Sequence, residues 1–139
     1  MANLLYTAAK SDFLTGSLDL VANTVTIVLT DSSYTFDAGH TSRANVPNTA
    51  VVSVGNLAGK SVSNATFDAS DIIFNTVVGN QITSIVIYHN TGNAEGDPTD
   101  QASSRLIGFI DTASGLPITP ANVDITLSFS NLANKIFTI

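Results

Sequence analysis

Val123, Ile125, Leu127 and Phe129 alternate with Asp124, Thr126, Ser128 and Ser130. Period two marks a half-buried strand, because successive side chains point to opposite faces. A polar break at 131–134 leads into Lys135–Ile139, which reads as the second arm of a final hairpin. Arg105–Ile110 supplies another strand just upstream. Val21–Thr30 alternates similarly, with Val25, Ile27 and Leu29 on one face and Thr24, Thr26, Val28 and Thr30 on the other. Gln81–Asn90 carries Ile85, Val86, Ile87 and Tyr88 in succession, the mark of a central strand covered on both faces. Val51–Val54 is a short strand and Gly55–Gly59 a turn. Ser61–Asp68 and Asp71–Val78 read as a pair, with Val62, Ala65 or Phe67 and Ile73 or Val77 inward, and Gly79-Asn80 as a hairpin signal.

One stretch has helical spacing. Leu5, Ala8, Ala9 and Phe13 fall on one face of a helix over Asn3–Leu14, with Asn3 as its cap and Gly16 as its left-handed end. Two stretches lack periodicity. Asp31–Ala50 is long and polar, a length that is usually functional or mobile in a compact domain. Asn90–Ser104, rich in Gly, Asn and acids, reads as an exposed, mobile loop. The whole predicts an all-β single domain over 1–139: an antiparallel, jelly-roll-like β-sandwich of seven to eight strands with one short N-terminal helix.

Composition narrows the chemistry. There is no cysteine, so disulfides and thiolate metal sites are excluded. Charged residues are only 12% and the net charge is −6, with Lys10, Arg43, Lys60, Arg105 and Lys135 scattered along the chain. Nucleic-acid binding needs clustered cations, so none is expected. No run is apolar for long enough to span a membrane, and the first twenty residues do not read as a signal peptide. Asn64-Ala-Thr66 matches a glycosylation sequon by chance. A surface so poor in charge is covered by Thr, Ser and Asn, or by other subunits.

No catalytic constellation is visible. His40 follows Asp37 by three residues in a loop, and His89 ends a strand; neither has a nucleophile in a recognisable setting. Asp68 and Asp71 sit too close to a turn for paired-carboxylate chemistry. Glu95 and Asp97 alternate as calcium ligands can, but Pro98 follows and the twelve-residue calcium loop is not met. The expectation is no enzyme, no cofactor, and no catalytic or metal residues.

Asp111–Pro120 (DTASGLPITP) followed by Asn131–Ile139 (NLANKIFTI) resembles a family of small proteins encoded by tailed bacteriophages and prophages. Leu14-Thr15-Gly16, Leu29–Tyr34, Leu57–Lys60, Phe67–Ala69 and Ile85–Tyr88 extend the resemblance, in order, over most of the chain. It implies a virion structural protein, assembled in the host cytoplasm, with no catalytic residues. The role expected is capsid decoration: a cement protein on the outer head surface between capsomers. The alternatives are a tail or head–tail junction protein and a lectin-like host-adhesion module. Its partners would be the major capsid protein or other virion proteins, together with copies of itself, a homotrimer being favoured. The trimer expectation rests on the low charge fraction, on Val28, read as exposed, and on the doubly apolar strand at Ile85–Tyr88, read as needing cover from a neighbour.

Overall fold

The computed structural model describes residues 4–92, 101–131 and 135–139. Among them the fold is all-β with antiparallel sheets and one short helix. The strands are β1 (Leu4–Leu5), β2 (Val25–Thr30), β3 (Val51–Asn56), β4 (Ser61–Ser63), β5 (Thr66–Asp68), β6 (Ile72–Val77), β7 (Ser84–His89), β8 (Leu106–Ile110), β9 (Val123–Leu127) and β10 (Phe137–Thr138). The count is ten rather than seven to eight, because the chain breaks at turns into two- and three-residue strands.

The main sheet has the order β1-β8-β7-β2-β3. Its central strands β2 and β7 pair from Val25↔His89 to Thr30↔Ser84. All six residues of β2 are buried, and so are the first five of β7. A strand covered on both faces needs apolar residues at consecutive positions. Ile85–Tyr88 supplies them, as expected. One face of this sheet, with Ile27, Leu29, Ile85 and Ile87, packs on Phe67, Phe74, Val77 and Ile136 of the smaller sheets.

The other face is covered by the chain itself. Val28, Val86, Tyr88 and Phe109 pack against Tyr34, Val46 and Ala50 of the 31–50 segment. The expectation of an exposed Val28 is therefore wrong: the residue is fully buried. The polar segment is a structural lid. Two single turns of 3₁₀ helix, Arg43–Asn45 and Asn48–Ala50, shape it. Ser42 and Asn45 form a reciprocal capping box at the first of them. Cover from a neighbouring subunit is not needed for this sheet.

Pairing departs from the expected hairpins. The second sheet has the order β10-β5-β4, and the third pairs β6 with β9. Val123–Leu127 thus joins Ile72–Val77, while Phe137–Thr138 joins Thr66–Asp68. There is no final hairpin between these two stretches. Ser61–Ser63 and Thr66–Asp68 form their own tight hairpin, so Asp71–Val78 is not their partner. Gly79-Asn80 connects two different sheets rather than two paired strands. Gly55 belongs to β3, and the turn begins at Leu57. Inward positions also differ: Phe67 and Val77 are buried, whereas Val62 and Ile73 are exposed.

The helix α1 spans Thr7–Thr15. It starts later than the spacing predicts because Leu4 and Leu5 pair with Phe109 and Gly108 in the main sheet. Asn3, the expected cap, lies outside the described residues; Tyr6 holds the cap position, and its side chain does not cap the helix. Gly16 ends the helix at φ 74°, a conformation without penalty only for glycine, and its N–H reaches the Phe13 carbonyl.

Candidate functional site

An open, largely apolar groove of about 410 Å³ lies between α1 and the second sheet. One wall is the end of α1 and the segment after it: Phe13, Gly16 and Leu18–Val21. The other is the β10-β5-β4 sheet, through Val62, Ala65, Phe67, Phe137 and Ile139. Phe137 ties the walls together, its ring 5.4 Å from that of Phe67 and 6.3 Å from that of Phe13. Val21, Val62 and Ile139 are each about half exposed.

Local chemistry fixes both walls. Asp19 Oδ1 accepts the N–H groups of Val21 and Ala22 at 2.9 and 3.0 Å. Asn23 Oδ1 in turn accepts the Asp19 N–H at 2.9 Å. This closed turn presents Val21 outward. The two N–H donors, that of Ala22 first, hold the Asp19 carboxyl below the usual carboxylate range. On the other wall Asn64 and Ala65 have φ of 50° and 61°. Two positive values in a two-residue loop make the tight hairpin turn whose twist suits paired strands. Lys60, just before β4, donates to the Asn23 carbonyl and laces the walls at one end.

The residues singled out for chemistry serve as ties. The His40 Nδ1 lies 3.0 Å from the Tyr34 hydroxyl, which lies 2.7 Å from the buried Tyr6 hydroxyl. His89 ends β7, where burial lowers its pKa and the nearby Asp12 opposes the shift. Asp12 is itself bound by Arg105 at 2.6 Å. Asp68 accepts from Lys135 Nζ at 2.8 Å, and that bond chiefly lowers its pKa. Asp71 accepts the Phe129 N–H at 2.9 Å. The two carboxylates thus fasten the C-terminal stretch. Asp37 Oδ1 accepts the Gly39 N–H at 2.7 Å, and the backbone carbonyl of Asp37 takes the His40 N–H. Among the described residues no three metal-ligating side chains converge. Glu95 and Asp97, the calcium candidates, lie outside the described residues.

The groove itself was not visible in the sequence. Its sheet wall joins residues more than seventy positions apart, Val62 with Phe137 and Ile139, and only strand pairing brings them together. A weak signal existed: Val62 stands alone among serines in a strand too short to bury it.

The sequence matches no known family model, and no curated protein matches it.

Proposed function

We propose that this chain is a structural protein of a tailed-bacteriophage or prophage virion, and that it decorates the outer surface of the head between capsomers. The observation that carries this reading is the exposed apolar groove between α1 and the β10-β5-β4 sheet. A second apolar group, Ile73, Val78 and Val123, is exposed on and beside the β6–β9 sheet. Contiguous apolar surface on a small protein marks contact sites. The resemblance of Asp111–Pro120 and the C-terminal stretch to phage virion proteins supplies the setting. The net charge of −6 suits an outer location better than one facing packaged DNA.

The finer architecture belongs to the same reading: the main sheet and the two small sheets form a distorted jelly-roll-like sandwich around a shared apolar layer. The assembly is a homotrimer joined to the major capsid protein. Its contacts lack charge pairs, so light scattering should give the same trimer mass at low and at ~1 M salt. A monomer at high concentration would sink the trimer.

Quantitative labelling of purified particles tests the location. Copies on the order of hundreds per particle mean decoration, and about six to twelve mean a junction or tail part. Absence from particles, with binding of the isolated chain to a glycan array, would replace this reading with host adhesion.

A further inference from the structure

The edge of the groove has a geometry of its own. Strand β4 ends its sheet, and among the described residues no strand lies beyond it. Register decides which main-chain groups face outward. Ser63 pairs with Thr66 next to the turn, Ser61 with Asp68, and Val62 stands between them opposite Phe67. On its far side the Phe67 carbonyl accepts the Ile136 N–H at 3.1 Å. Phe67 therefore spends its main-chain groups on β10, and Val62–Phe67 is a pair without mutual hydrogen bonds. The N–H and C=O of Val62 consequently point away from the sheet. Their side chains tell the same story. Val62, Phe67 and Phe137 are register partners, so they form one apolar row across three strands. The row stops at Val62, which is 52% exposed. Outward main-chain groups beside an interrupted apolar row are what strand addition requires.

Charge selects the occupant. Of the five basic side chains, Arg43 is held by the Val46 carbonyl and Lys60 by the Asn23 carbonyl. Arg105 and Lys135 are held by Asp12 and Asp68. The net charge remains −6, and Asp19 stands in the groove wall with the Lys60 ammonium near enough to act on it. A second copy would bring the same negative surface to this edge, whereas a cationic partner gains from it.

We infer that β4 and the groove receive an extended apolar segment of a different protein, flanked by Lys or Arg, which adds as a strand at Val62. This deepens the assembly reading and rests on it only for where the partner is found.

The test is titration of the full chain, followed by amide NMR, with a capped peptide of alternating Val and Thr between terminal lysines. Saturable shifts should concentrate at Ser61–Ala65, Val21 and Phe137. The same peptide with terminal glutamates should bind about fivefold more weakly. One N-methylated at alternate residues should bind about tenfold more weakly, because it cannot pair with an edge. Val62→Lys, at an exposed position that leaves the fold intact, should abolish the shifts. Equal binding of the N-methylated peptide would overturn strand addition, and equal binding of the glutamate peptide would overturn the charge selection. Concentration-dependent shifts at β4 without peptide would mean that a second copy is the occupant, which also overturns the inference. Peptide binding by a chain absent from particles would leave this inference standing and sink the virion reading alone. Incorporation into particles with no peptide binding would do the reverse.

Discussion

The hydroxyls of Tyr6 and Tyr34 lie 2.7 Å apart inside the layer that joins the 31–50 segment to the main sheet. Tyr6 is fully buried, and its hydroxyl has this partner in place of water. Tyr34 also reaches His40 at 3.0 Å, so it is the middle of a three-member chain. Tyr34→Phe strands a buried donor and should destabilise by about 1–3 kcal/mol. The double variant Tyr6→Phe/Tyr34→Phe leaves no orphan between the two, so its loss should fall short of the sum of the single losses. Urea unfolding of the four proteins measures the difference, and strict additivity would refute the coupling.

Arg43 is 4% exposed and fastens the same segment. Its Nη1 donates to the Val46 carbonyl at 2.6 Å and its Nη2 to Asn48 Oδ1 at 3.1 Å, with a further hydrogen bond to Tyr88. Burial lowers its pKa, and Tyr88 opposes that shift. A guanidinium fork spans partners that a single ammonium cannot. Arg43→Lys should therefore lower stability by about 1–3 kcal/mol despite keeping the charge. Amide exchange over 42–50 should speed up more than exchange in β7. Unchanged protection there would show that the lid is held by its apolar residues alone.

Ala65 has φ 61° in the β4–β5 turn, where a side chain is disfavoured. Glycine adopts this conformation freely but loses more chain entropy on folding. The strain is the larger effect, so Ala65→Gly should raise stability by about 0.5–1 kcal/mol. Thermal melting decides it, and a lower midpoint would contradict the turn geometry.

Strand existence was legible where composition is local. Val25–Thr30 and Ile85–Tyr88 declare themselves by β-branched runs. Pairing was less so. Sequential strands usually pair, which made a final hairpin the natural expectation. Here Ile125 instead stands opposite Phe74, and Phe137 opposite Phe67, contacts decided by packing over fifty positions and more. The lid was hidden for another reason. Tyr34, Val46 and Ala50 follow no period, because an irregular segment buries residues wherever its turns happen to aim them. The groove combines both difficulties, since Val62 gains its meaning only from Phe67 and Phe137 beside it.

Alkali should act on the tyrosine pair. Burial, then the bond from Tyr34, raises the Tyr6 pKa far above the ordinary range, and burial also raises that of Tyr34. In the unfolded chain both ionise near ~10. A folded-state pKa above the unfolded one gives stability that is complete below ~10 and falls as pH rises beyond it. The decline should approach ~1.4 kcal/mol per pH unit for each tyrosine that stays protonated in the fold. Lysines also lose their charge in this window, so the informative quantity is the difference between proteins. Tyr6→Phe removes one such group and should flatten the slope between about pH 10 and 11.5 by roughly that amount. Urea midpoints across this range measure it, and parallel curves for the two proteins would show that Tyr6 ionises as readily folded as unfolded.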